Sequence, residues 1–131
     1  MKGAYVLLIK LDSDKKIKVG KLGKIFFKKG FYVYVGSALN GLEARLDRHK
    51  KTNKKFHWHI DYLLDHSKII GIFYKEGLVK EECNIANLFL KYDSVLGFGS
   101  SDCKCKSHLF FSKNNEIIKY CNSLNFISYV I

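Results

Sequence analysis

At 131 residues, with 47% hydrophobic and 15% aromatic side chains, the chain has the size and apolar content of one globular domain, 1–131, which excludes wholesale disorder. Its formal charge is +11, from 23 basic and 12 acidic residues, and the excess is segregated: residues 1–55 carry 15 Lys and Arg against 4 Asp and Glu, whereas residues 56–131 carry 8 of each. Lysines spread over a surface can serve solubility alone, but a localised positive field concentrates a polyanion and releases counterions on binding, which points to nucleic acid. No apolar run is long enough to cross a bilayer, and no basic amphipathic helix or lipidation motif is evident, so no membrane partner is expected.

In chain order, Gly3 to Lys10 is rich in branched and aromatic residues and reads as a buried strand closed by the turn Asp12-Ser13-Asp14-Lys15. Met1 leads straight into that strand instead of a signal peptide's apolar core, so a cytoplasmic protein is expected, with Cys83, Cys103, Cys105 and Cys121 reduced. Lys16 to Val19 alternates as a short half-exposed strand, and Phe31 to Val35 is a second strong strand; together they predict an antiparallel meander or hairpin. The period then becomes helical, with Leu42, Leu46 and His49 on one face of residues 41–50, and a charged loop from Lys50 to Lys55 follows. Trp58 to Leu64 reads as a helix, Ile69 to Tyr74 as a central strand, Leu78 to Lys91 as a helix and residues 97–101 as a loop. Leu109 to Phe111 is a short strand, Asn114 to Leu124 a helix, and Phe126 to Ile131 a last strand. The class is α+β: a small, mainly antiparallel sheet flanked by helices.

Three placements carry chemistry. Tyr5 and Tyr34 each lie on a strand beside a glycine, as Gly3-x-Tyr5 and Tyr34-x-Gly36; singly each reads as a core aromatic, and their repetition raises interest. Arg45 and His49, four residues apart, border the Leu42 and Leu46 stripe at the rim of a cleft, whereas Arg48 turns toward water. Glu82 falls near the centre of an apolar helical face formed by Leu78, Val79, Ile85, Ala86 and Phe89, where a carboxylate needs a cation or strong donors.

Gly3-Ala4-Tyr5 followed by Tyr34-Val35-Gly36 resembles the paired signature of the GIY-YIG nuclease superfamily, Arg45 with His49 resembles its Arg-x-x-x-His, and Glu82 its metal-holding glutamate. The motifs around Tyr32 to Ala38, Arg48-His49, Trp58 to Leu63, Glu82-Cys83 and Gly97 to Leu109 are similar to a small uncharacterised branch of it, found alone or attached to repair enzymes such as endonuclease III. The resemblance implies a GIY-YIG-like fold and a metal-dependent endonuclease on DNA, favoured over RNA, with an association with DNA-repair enzymes among the options. It also implies one Mg²⁺ or Mn²⁺ on Glu82, Tyr5 activating water, Tyr34 assisting, Arg45 on the phosphate, and His49 sharing the proton transfer or orienting the phosphate. The alternative is a non-catalytic nucleic-acid-binding domain on the same fold. Alanine and valine replace the central isoleucines of the two motifs, Arg48 competes with Arg45 for the phosphate, and the superfamily's later asparagine has no placed counterpart. Lys21, Lys24, Ser37, Arg48, Lys50, Lys51, Lys54 and Lys55 are the expected nucleic-acid contacts.

Cys103-x-Cys105-x-x-His108 is a rival cleft or metal motif, with Cys83, His57 or His59 able to complete it, yet its spacing is not that of a zinc ribbon or finger, and no structural zinc is expected. Its glycine- and serine-rich approach could instead offer backbone N–H groups to a phosphate. On a helix, alternate residues of His57-x-His59-x-Asp61 cannot chelate together; Trp58 and Tyr62 read as packing residues and Asp61 as a cap or local partner.

Overall fold

A computed structural model describes residues 2–38, 41–51, 54–77, 81–100 and 104–129. Two long strands, β1 (Gly3–Leu11) and β4 (Gly30–Ala38), pair antiparallel along their whole length, from Gly3 opposite Ala38 to Leu11 opposite Gly30. Both are buried on both faces, which their near-continuous apolar sequences permit. β5 (Lys68–Glu76) and β7 (Leu109–Ser112) flank them, and the short β6 (Asp93–Ser94) and β8 (Ile127–Ser128) finish a six-stranded antiparallel sheet in the order β6-β7-β4-β1-β5-β8. The chain is therefore α+β, as its sequence pattern predicts.

Of the expected meander or hairpin, the antiparallel pairing of the two strong strands forms, but the three-strand meander does not. β1 bonds directly to β4, while β2 (Lys15–Lys18) leaves the sheet and pairs with β3 (Lys24–Phe27) in a separate ribbon. β2 buries only Ile17, so it suits a flap; that ribbon puts Ile17, Val19 and Phe27 onto the core. β5, read as a central strand, lies one place in from the edge and fully buries only Ile72.

Helices cover both faces. On one, Leu42 and Leu46 of α1 (Leu42–Lys50) and Ile60 and Leu63 of α2 (His59–Leu64) pack on Tyr5, Leu7, Ile9, Tyr32 and Tyr34. On the other, Ile85 and Ala86 of α3 (Glu82–Asn87) and Ile117 and Cys121 of α4 (Glu116–Ser123) pack on Ala4, Val6, Leu8, Val33 and Val35. Successive β1 residues thus serve opposite layers, as strand alternation requires. Among the described residues no helix is long and apolar enough to cross a membrane.

Two helical expectations need correction. α3 starts at Glu82, and with no described helical turn before it Glu82 sits half-buried at its beginning, not in the middle of an apolar stripe; Leu78 and Val79, which would have made that stripe, lie outside the described residues. Arg48 does not turn to water, because a fully buried carboxylate on α2 draws it inward.

Candidate active site

The antiparallel register puts Tyr5 opposite Gly36, so the two residues face the same side of the sheet, with Tyr34 two positions along β4 on that side. A Cβ on Gly36 would collide with Cζ and the hydroxyl of Tyr5; the missing side chain is the space in which the Tyr5 ring lies. Tyr5 and Tyr34 are thereby neighbours, with ring centroids 6.4 Å apart. Gly3-x-Tyr5 and Tyr34-x-Gly36 are thus one packing unit.

α1 brings His49 over this pair. Its ring lies 5.4 Å from Tyr5 and 6.3 Å from Tyr34, and its Nε2 is 2.6 Å from the Tyr5 hydroxyl. Burial holds the imidazole neutral: desolvation, then the Lys54 charge, lower its pKa from 6.5 to about 3, with Asp61 opposing. Burial likewise raises both tyrosines well above their usual range. A neutral His49 can accept the Tyr5 proton at Nε2, which leaves Nδ1 as the protonated nitrogen. That Nδ1 is buried without a hydrogen-bond partner, as is the hydroxyl of Ser37.

Arg45 forms the rim. Its Nη1 donates to the Ser37 carbonyl at 2.9 Å, and its guanidinium stacks 4.1 Å from the Trp58 ring centroid. By charge and hydrogen bonding it pulls the Tyr5 hydroxyl downward, against the larger effect of burial, while the Glu82 carboxylate raises both tyrosines. Tyr5, Tyr34, Arg45 and Glu82 are thus within electrostatic reach of one another, although Glu82 belongs to the helix layer on the opposite face.

Arg48 is occupied elsewhere. Its two terminal nitrogens donate at 2.9 Å each to the two oxygens of Asp61, whose side chain is fully buried, and Nη2 also donates to the Lys55 carbonyl. The backbone N–H groups of His57 and Trp58 donate to Asp61 Oδ2, capping α2. Burial would raise the Asp61 carboxyl, but these donors outweigh it and hold the group below the carboxylate range. Arg48 is therefore a positioning residue for α1 and α2, whereas Arg45 has no carboxylate partner among the described residues. Lys54 is similarly engaged: its Nζ donates to the Arg48 and His49 carbonyls, 3.8 Å from Asp61, with 7% of its side chain exposed.

Of the other expected contacts, Lys21, Lys24, Lys50, Lys51 and Lys55 are exposed. Lys50 and Lys51 line, with His49, Lys54, Phe56 and Lys68, a cleft of about 460 Å³. Lys68 adds a cation to it from outside the basic segment.

Among the described acidic residues near the site, Glu82 is the one without a paired cation in the contacts of the fold. Glu82 is half-buried and its charge is felt by both tyrosines, whereas Glu81 pairs with Lys75 at 3.2 Å and Asp61 is spent on Arg48. A single carboxylate with waters and phosphate oxygens fits Mg²⁺ or Mn²⁺ chemistry.

The rival motif is also assembled. Cys83 on α3, Cys105 and His108 place their donor atoms within 4.8 Å of one another, while Cys103 lies outside the described residues. His57 and His59 are not part of the group; His59 Nδ1 accepts the Gly99 N–H at 2.9 Å, so that amide is not offered to a phosphate. Trp58, read only as packing, carries both guanidiniums, 4.1 and 4.3 Å from its centroid; its place three residues before the arginine-pairing Asp61 was no signal for that.

A protein-family model described as a domain of unknown function, DUF123, matches residues 4–128, and the chain belongs to that family. No curated protein matches the chain. No solved structure matches it either.

Proposed function

We propose that this member of the DUF123 family is a divalent-metal-dependent phosphodiesterase that cuts DNA, working in the cytoplasm on branched or damaged structures and partnered with repair enzymes. The observation that carries the reading is the 2.6 Å pair of the Tyr5 hydroxyl and the neutral His49 Nε2, with the Arg45 guanidinium beside it.

Hydrolysis needs a base for water and positive charge on the phosphate. Tyr5 is protonated at neutral pH and cannot act as a free phenolate. It can relay: as water gives a proton to its oxygen, its own proton passes to His49 Nε2, and a water–phosphorus bond forms while the ester bond to the leaving oxygen breaks. The imidazolium so formed is strained by its burial beside Lys54, but a phosphate dianion-like transition state at Arg45 supplies the negative charge that the free site lacks. Arg45, free of carboxylate partners among the described residues, neutralises the non-bridging oxygens. Tyr34 packs beside the Tyr5 ring, 6.4 Å between centroids, and would assist through its hydroxyl. An Mg²⁺ or Mn²⁺ on Glu82 would supply Lewis-acid stabilisation of the developing charge. The lysines of the cleft next to His49 hold the neighbouring backbone.

The direct test is cleavage of branched, flapped, nicked and linear DNA, with RNA counterparts, in Mg²⁺ or Mn²⁺. Tyr5→Phe and Glu82→Ala should each lose cleavage while retaining binding; cleavage persisting in both would sink the mechanism. One observation favours a second reading: Tyr5 is 1% and Tyr34 7% exposed. A non-catalytic nucleic-acid-binding domain would keep them as core, and would bind with strong salt dependence but indifferently to metal and to Glu82→Ala.

A further inference from the structure

We infer that Cys83, Cys105 and His108 form a zinc-binding site that ties α3 to the segment entering β7, apart from any ion held by Glu82. The three donors come from two regions of the chain that meet only in the fold, and each offers one ligand atom to a common point, all within 4.8 Å of one another. Cys83 Sγ and His108 Nε2 are 3.8 Å apart. A tetrahedral zinc with bonds of roughly 2.3 Å to sulfur and 2.0–2.1 Å to nitrogen needs a sulfur–nitrogen edge of about 3.6 Å and a sulfur–sulfur edge of about 3.8 Å. The cluster reaches those edges by side-chain adjustments of less than an ångström or so.

The donor set decides the metal class. Two thiols and an imidazole are soft to intermediate ligands that favour zinc over Mg²⁺ or Ca²⁺, which take oxygen. The cysteines are half-buried and His108 is 1% exposed, so the ion would be screened but reachable. His108 is also rigidly mounted: its N–H donates to the Phe98 carbonyl at 2.8 Å and its carbonyl accepts the Val35 N–H at 2.9 Å. The sequence names Cys83 among the residues able to complete Cys103-x-Cys105-x-x-His108, and only the mismatch with zinc-ribbon and finger spacing argued against zinc; a site with one ligand on a distant helix need not show such spacing.

The location gives the ion a structural task. Cys83 follows Glu82 directly, and α3 is only six residues long, so a metal on Cys83 would fix where the Glu82 carboxylate stands. At the other end, the His108 backbone is bonded to Val35, next to Tyr34, and a Cβ on Gly99 would lie 3.0 Å from Tyr34 Cε1 and 3.4 Å from His108 Cβ. One ion would hold the two halves of the candidate active site in register.

The test is metal content of the full chain, purified reduced and without an affinity tag, followed by cobalt replacement. Roughly one zinc per chain is expected, with thiolate-to-cobalt charge transfer and the intense visible bands of a tetrahedral site after exchange. Cys83→Ser and Cys105→Ser should each lower zinc to below about a tenth of that, with far-ultraviolet circular dichroism confirming that the variants fold. Because a variant can fail to fold, the wild-type chain is also stripped with a chelator: its melting temperature should fall and recover on adding zinc alone. Zinc content unchanged in Cys83→Ser, cobalt without thiolate charge transfer, or a Cys83–Cys105 disulfide with no metal would each overturn the site. None of these readouts uses a nucleic acid, so they stand or fall separately from the nuclease reading.

Discussion

Protonation of His49 should be a principal acid weakness of this fold. In the unfolded chain the imidazole titrates near 6.5, and in the folded chain only near 3, because it is 2% exposed and faces Lys54, Arg45 and Arg48. Above pH 6.5 both states hold it neutral and it has no effect on stability. As pH falls below 6.5 the unfolded chain takes up a proton that the folded chain refuses, so the stability is lost progressively down to pH 3. At pH 5 the ratio of the two binding polynomials is roughly thirtyfold, which costs about 2 kcal/mol relative to pH 8. Other groups titrate too, so the measurement is a comparison: urea unfolding of wild type and His49→Gln at pH 5, 6, 7 and 8. Glutamine can still accept the Tyr5 hydroxyl but does not titrate. The wild-type stability should drop about 2 kcal/mol further than that of the variant between pH 8 and pH 5. Parallel curves would show that His49 protonates as readily in the folded state as in the unfolded one, so that burial does not hold it neutral.

The two arginines should separate cleanly. Asp61→Ala and Arg48→Ala should each destabilise the fold strongly, Asp61→Ala the less ambiguously, by about 3–5 kcal/mol, because it strands a guanidinium and two backbone N–H groups; a double-mutant cycle in denaturant should give a coupling well above zero. Arg45→Ala should leave the melting temperature within a few degrees of wild type but weaken DNA binding and lower the slope of log affinity against log salt by about 1, measured by fluorescence anisotropy. An unchanged slope would take Arg45 off the phosphate. Gly36→Ala should cost about 1–3 kcal/mol in thermal or chemical unfolding by overpacking Tyr5, and a neutral result would mean that the ring can leave its place over β4.

The strands carrying Tyr5 and Tyr34 were legible because their apolar runs are long, and His49 because it shares a helical face with Leu42 and Leu46. Arg48 was misplaced for a related reason. A helical wheel knows only its own helix, and the buried Asp61 that captures Arg48 belongs to the next one. Glu82 was misread because the apolar face assumed for it depended on a helix beginning earlier than α3 does. The β2–β3 ribbon was half seen: β3 is the short run Lys24, Ile25, Phe26 and Phe27 with only Phe27 buried, a weak signal beside three nearby glycines. Convergence of Cys83 with Cys105 and His108 depends on α3 docking beside β4, a tertiary contact with no local trace.

Trp58 is the chain's single tryptophan, and both guanidiniums of α1 lie on it. One of them is locked by the Asp61 carboxylate, and the other, Arg45, has no carboxylate partner among the described residues. The chain thereby carries a built-in optical gauge: emission from one indole, with one contact constant and the other free to be pulled away by an arriving anion. A rise or fall in that emission on titration would time the engagement of Arg45 in solution, without a dye or a cleavable substrate.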